Sequence, residues 1–251
     1  MAKKHNPQDA LFYRQGERKE IVVAAPHHGC TPGSDYFTRE IATLLASSLR
    51  ANLLVAEGLR PLVDLNKDPS LAPSPELRDL CLTYQGHALA NPVELFLEIH
   101  GHVRGRYDLE LSCGFEFEPY HPLDKEFGEK LASLRALLPQ TLSRYWKEDF
   151  PLPQPSVGLF PFDKKVVMRA TKTYLFRKIR ELQLKGRRIF GLHIEIYRDY
   201  KTGDPNSPIF ACQEALVAAL AASITRAFQL KELRVQSSRA EAASQALGQT
   251  T

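Results

Sequence analysis

Apolar residues along this chain fall into short runs separated by stretches of helical periodicity, the pattern of an α/β protein. Ile21-Val22-Val23-Ala24-Ala25 is too short for a helix and opens on β-branched residues, so it predicts a buried strand over about 21–25. Phe37, Ile41, Leu44, Leu45 and Leu49 then recur at helical spacing, predicting a helix over about 35–50 with Ser34 or Asp35 as its cap. Asn52-Leu53-Leu54-Val55-Ala56 reads as the next strand and closes a βαβ unit with parallel strands. Pro and Ser mark a loop over about 68–75. Further strands are predicted at 94–99, 108–115 and 188–196, with a short one at Val166-Val167-Met168. The alternation in 108–115 implies a face open to water. Helices are predicted over about 131–146, 171–185 and 210–230. Together these elements imply an α/β fold with a mixed, largely parallel central sheet and helices on both faces. Its domain runs over 21–236, between a polar lead-in at 1–20 and a small, polar, flexible tail at 237–251.

Composition changes little: 43% hydrophobic and 25% charged residues are ordinary for a globular domain of 251 residues. No apolar run approaches the roughly 20 residues that span a bilayer. The basic start Met1-Ala2-Lys3-Lys4 has no hydrophobic segment behind it, so a cytoplasmic protein is expected. Four cysteines without CxxC spacing disfavour a zinc ribbon or redox dithiol, and only Cys30 lies near candidate chemistry. The net charge of +4 argues weakly for an anionic partner, most of the excess lying between Lys164 and Arg188. That spacing suits the solvated face of a helix with Tyr174, Leu175, Ile179 and Leu182 inward. Nucleic-acid binding through the 164–188 face is the competing, less favoured reading.

Chemistry gathers where strands end. His27/His28, His100/His102 and His193/Glu195 each close a separate apolar run. In open α/β sheets functional groups collect at the carboxyl ends of strands. One such histidine alone is more often a hydrogen-bonded core residue. Three strand ends together suit a catalytic zinc, which takes three ligands from His, Asp and Glu and leaves one position open.

These residues resemble the N-formylglutamate amidohydrolases, metal-dependent amide hydrolases with a zinc-exopeptidase type of fold. Pro26-His27-His28-Gly29 fits that family's first turn, and Asp35 its acid ahead of the first helix. Arg60-Pro61-Leu62-Val63-Asp64-Leu65-Asn66-Lys67 fits its Arg-x-x-x-Asp-Leu-Asn-Arg stretch except at the last residue. Glu98-Ile99-His100-Gly101 and Leu192-His193-Ile194-Glu195-Ile196 fit two later strands. The resemblance implies His27, Asp35 and His100 as ligands of Zn2+ or another divalent metal, Glu195 as the base that activates water, and Arg60 as the group that steadies the oxyanion. It places Asn66 and Lys67 against a substrate carboxylate; Arg169 is a further candidate anion clamp. Glu57 is the alternative third ligand. His28 is expected to point away, while His102 and His193 are candidate supporting groups.

Two departures bear on the substrate. Lys67 lacks the bidentate fork of the family's Arg, and the pocket segment Asn-x-Pro-Tyr-x-Gly-Gly is replaced by Val157-Gly158-Leu159-Phe160-Pro161-Phe162-Asp163. The expectation is therefore a metal-dependent amidohydrolase acting on a small anionic N-acyl amino acid or short peptide. A carboxypeptidase-like or N-acyl amino acid deacylase activity is the alternative, and the substrate itself stays open.

Overall fold

The computed structural model describes residues 7–31, 33–117 and 121–230. The expected tail at 237–251 lies outside the described residues. Among the described residues seven strands form one mixed sheet in the order β1-β3-β2-β4-β7-β5-β6. They are β1 Leu11–Arg14, β2 Arg18–His28, β3 Ala51–Glu57, β4 Leu95–His102, β5 Leu109–Ser112, β6 Val157–Phe160 and β7 Phe190–Tyr197. The central strands β3, β2, β4 and β7 are parallel. β1 is antiparallel to β3 and β5 to β7.

Alternation along the strands builds two cores. Val23, Ala25, Leu53, Leu97 and Ile194 face α1 (Thr38–Leu49), α3 (Pro122–Tyr145) and α5 (Pro208–Ala227). Val22, Ala24, Leu54 and Phe96 face α2 (Pro75–Leu89) and α4 (Tyr174–Leu184). Both faces are thus covered, which is why the central strands read as nearly continuous apolar runs. Each fully buried Leu or Ile contributes on the order of 1.5–3 kcal/mol to this packing. Among the described residues α5 alone is long and apolar enough, by length and composition, to cross a membrane. It packs against α1 and α3, which accounts for its small apolar residues.

Several predicted elements shift. Within the expected lead-in, Leu11–Arg14 is an edge strand of the sheet, and β2 starts at Arg18 and carries His27 and His28 within it. α1 begins at Thr38 after Phe37, whose φ of 60° lies in the left-handed region, and neither Ser34 nor Asp35 caps it by side chain. α2 has no counterpart in the predicted elements, because its buried positions Leu80, Cys81, Tyr84 and Ala88 make only a narrow stripe. Ser74 accepting from Leu77 N, with Pro75 behind it, is the start signal that marks it.

β5 has no wet face. Its polar residues are buried because Glu110 accepts from the N–H groups of Arg106, Tyr107, Val167 and Met168. Val166–Met168 is accordingly a loop held to β5, and the neighbouring strand is β6. All four cysteines are free, Cys30 exposed and the others buried.

Candidate active site

β4 and β7 pair with Glu98 beside His193 and His100 beside Glu195. Residues two apart on a strand share a face, so these four side chains form one block on the side of α2 and α4. His27 would by alternation join Val23 and Ala25 on the opposite face. A β-bulge prevents this: Ala25 pairs with Val55 but His28 with Glu57, so β2 carries one extra residue there. The His27 ring meets that of His100 edge-on, with centroids 4.9 Å apart.

Asp35 enters from the loop after β2, its N–H donating to the His27 carbonyl at 2.7 Å. The loop between β3 and α2 brings Arg60, Asp64 and Asn66. His100 Nδ1 lies 3.0 Å from Asp35 Oδ2, and its Nε2 lies 3.0 Å from Glu98 Oε2. His27 Nε2 lies 2.8 Å from Asp64 Oδ1, and its Nδ1 lies 2.7 Å from Arg60 Nη1 and 3.7 Å from Asp35 Oδ2. Since Arg60 can only donate, His27 Nδ1 accepts and Nε2 carries the hydrogen to Asp64. Each histidine therefore turns its inner nitrogen toward Asp35 and its outer nitrogen onto a carboxylate. That outer carboxylate is what orients metal-binding histidines and fixes their tautomer.

The residues fit a divalent cation. Ligand atoms of His27, Asp35 and His100 all lie within 4.8 Å of one another, and two imidazoles with one carboxylate suit zinc. A positive charge already stands there as Arg60 Nη1, 3.3 Å from Asp35 Oδ1. A second group, Glu98, His100 and His193, is also compact but wholly buried. Tyr84 donates to Glu98 Oε1 and Asn66 to Glu98 Oε2, so this group is a closed hydrogen-bond network that supports the first.

Ionisation follows from these contacts. Burial pushes the His100 pKa down, but the Asp35 and Glu98 carboxylates outweigh it and carry it up to about 10. Burial raises Asp35 and Glu98, yet bonds to His100, with His27 for Asp35 and His193 for Glu98, hold both well below the usual carboxylate range. Asp64 is likewise raised by burial and lowered by His27, to about 2. Glu195 is buried, and its bond from His193 Nε2 at 3.0 Å keeps it ionised against the burial penalty. Its other oxygen, Oε2, is buried without a hydrogen-bond partner among the described residues.

A cavity of about 550 Å³ opens over this cluster, its far wall formed by the loop 167–173. His27, Asp35, His100 and Glu195 are brought together at its floor with the more exposed Arg60 at its rim, and Asn66 and Lys67 line it. Asn66 is buried and donates into the Glu98 network, whereas Lys67 is exposed. Arg169 lines the cavity but not from a strand end. Its guanidinium is bonded to the Val166 and Lys164 carbonyls of its own loop and lies over the Phe160 ring, so it braces the wall before it can clamp a ligand. Glu57 stands apart, 55% exposed and paired with Arg39 at 2.7 Å. His28 points elsewhere, accepting from Arg39 N at 3.3 Å.

Asp64 and Glu98, which hold the outer nitrogens of the two histidines, are functional residues that the sequence motifs contain without assigning them a role. Glu98 had a legible signal, being a carboxylate inside an apolar strand two residues before His100. Asp64 had none beyond its motif.

The basic stretch is largely engaged at home. Arg180 pairs with buried Asp124, Arg188 with Glu94 and Glu126, Lys178 with Glu181, and Arg187 donates to Ala90 O. Nothing in this arrangement favours nucleic-acid binding.

A mixed sheet with two covered faces and polar groups gathered at the ends of its parallel strands defines an α/β fold with its candidate site at the carboxyl edge of the sheet. The chain is similar to the N-formylglutamate amidohydrolase from Ralstonia eutropha JMP134, with a TM-score of 0.53, 15% identity, and coverage of 88% of this chain and 98% of that one. It is similar also to a bacteriophage poly-gamma-glutamate hydrolase, with a TM-score of 0.47, 12% identity, and coverage of 88% and 91%. A metallo-carboxypeptidase from Burkholderia cenocepacia follows at a TM-score of 0.45, 14% identity, and coverage of 86% and 61%. The first likeness establishes the fold and agrees with the family that the sequence motifs resemble. No protein-family model and no curated protein sequence matches the chain.

Proposed function

We propose that the protein is a metal-dependent amidohydrolase that cleaves an N-acyl amino acid or short peptide bearing a carboxylate. One observation carries this reading. His27 and His100 both present Nδ1 to Asp35 while Asp64 and Glu98 hold their outer nitrogens, directly beside an ionised Glu195 with a free oxygen.

His27, Asp35 and His100 would hold the metal. When bound, Zn2+ supplies a Lewis acid that polarises a carbonyl and acidifies water. The chain's own groups do the rest. Glu195 accepts the proton of the attacking water at Oε2 and returns it to the leaving amine; His193 keeps that carboxylate oriented through Oε1. Arg60, half-exposed at the rim, supplies the donor for the developing oxyanion. Asn66 Oδ1, buried without a hydrogen-bond partner among the described residues, and the Lys67 ammonium present an acceptor and a positive charge for the amino-acid portion of the substrate. As a monodentate cation Lys67 attracts a carboxylate without selecting its plane.

Elemental analysis of purified protein combined with a screen of N-acyl amino acids and short peptides tests the proposal. Near one zinc per chain, and turnover abolished by chelation and restored by zinc, are expected. Protein that binds no divalent metal and retains activity in His100→Ala would end it.

A further inference from the structure

A second cavity of about 490 Å³ adjoins the first, sharing Gly33, Asp35 and Gly101 with it. It has a different character. The first is lined by charged groups, including Arg60, Lys67, Arg169 and Lys172. The second presents Tyr36, Phe37 and Val103 beside the mutually paired Arg198 and Asp199, and two of the apolar side chains are unusually open, Tyr36 at 47% and Val103 at 57%. Phe37 also holds a left-handed φ of 60°, uncommon and strained for a bulky residue. Aromatic and aliphatic surface beside a candidate reaction centre, partly at the expense of backbone strain, calls for an occupant.

Two buried polar groups line the same cavity, and neither has a side-chain hydrogen bond that occupies its donor among the described residues. Lys201 is only 7% exposed, and the charges that face its ammonium are the Asp35 and Glu195 carboxylates of the adjoining cluster. It lies over Gly101 so closely that a Cβ there would stand 1.9 Å from Nζ. His102 accepts from Gly105 N at Nδ1, so Nε2 carries the hydrogen, and Nε2 is buried and unbonded. Leaving such donors unmatched is unfavourable. His102 calls for an acceptor oxygen, and Lys201 can share one with the carboxylates it faces.

We propose that this cavity is the acyl-side subsite and takes an apolar acyl group larger than formyl or acetyl, with Lys201 and His102 donating to acceptor oxygens that the substrate carries. This rests on the hydrolase reading above. If the cation-lined cavity holds the amino-acid portion, the scissile amide crosses at Asp35 and Gly101, and the acyl portion extends into the second cavity. Size supports the assignment. Ligand pockets run roughly 300–1,000 Å³, so 490 Å³ suits a whole small-molecule fragment, while a one-carbon formyl group would leave it nearly empty.

Two measurements test this, the first independent of turnover. Titration of free hexanoate into the protein, followed by NMR chemical shifts or calorimetry, should show saturable binding that weakens at least fivefold in Val103→Glu and in Lys201→Met. No saturable binding to the wild-type protein, or binding that neither variant weakens, overturns the proposal whether or not the protein proves to be a hydrolase. The second compares kcat/KM for N-hexanoyl-L-glutamate and N-acetyl-L-glutamate. The ratio should exceed about ten in the wild type and fall toward one in Val103→Glu. Hydrolysis of both at equal efficiency in the two proteins would mean that the cavity does not receive the acyl group. Failure to cleave any N-acyl amino acid, with hexanoate still bound through Val103 and Lys201, would strike the hydrolase reading and leave the cavity's ligand class standing.

Discussion

At the scale of single residues the site is a set of paired acids and imidazoles in which each partner fixes the state of the next. Glu195 has one oxygen held by His193 and one free. Replacement by Gln keeps the shape and removes the basicity. Glu195→Gln should therefore lower kcat by about 10²–10⁴ with zinc content unchanged, as judged by steady-state kinetics beside elemental analysis. Asp64 has the opposite signature, touching no candidate ligand atom except through His27 Nε2. Asp64→Asn should weaken zinc binding roughly 10–100-fold, read from competition with a chelating dye. Unchanged affinity would mean that the His27 orientation does not depend on it. His27, His100 and Glu195 were legible in the sequence because strand ends announce themselves by composition. The division of labour between Asp35 and Glu57 was not, since both stand beyond strand ends and only packing shows Glu57 to be exposed and tied to Arg39.

Elements set where these residues meet. The bulge in β2 carries His27 across to the face of His100, and periodicity arguments are blind to it, because they assume strict alternation. The wall of the cavity depends on a similar hidden device. Glu110, fully buried in β5, accepts four backbone N–H groups, two from the segment 106–107 and two from 167–168. Ser112 adds a bond to the Arg169 carbonyl. The alternating sequence of β5 suggested a face in water; internal donors replaced the water. A Gln amide would set its NH2 against two N–H donors. Glu110→Gln should cost roughly 1–3 kcal/mol of stability in denaturant unfolding and raise KM more than it lowers kcat, because the displaced loop lines the cavity and holds none of the proposed catalytic groups. A fall in kcat at constant KM would contradict this placement.

Over the whole molecule, the cluster ties stability to pH and to the cation. In metal-free protein the lowered carboxylates Asp35 and Glu98 contribute stability that is present above their ordinary values, 3.8 and 4.5, and lost as the pH falls below them. His100 works in the other direction. Its raised value means a contribution complete below 6.5 and lost progressively as the pH climbs toward about 10. Chelated protein should thus melt highest between about pH 4.5 and 6.5 and lose melting temperature through pH 7–9. Zinc should abolish the alkaline decline, since the cation takes the place of the His100 proton. Thermal melts across this range with chelator or with zinc check the effect; a flat alkaline limb without metal would refute it.

The sequence by itself determined the α/β class, the parallel β2-α1-β3 unit, the helices on both faces and the strand ends that carry histidine. These follow from local periodicity and composition, which each segment reports about itself. Tertiary structure alone decided which of those residues converge. The β4–β7 register, the β2 bulge, the Glu98 and Asp64 supports, the helix α2 and the position of Lys201 over Gly101 all arise from contacts between segments far apart in the chain. A one-residue change of register reverses the face on which a side chain lies, so pairing and packing, rather than any local signal, place His27, Asp35, His100 and Glu195 at one site.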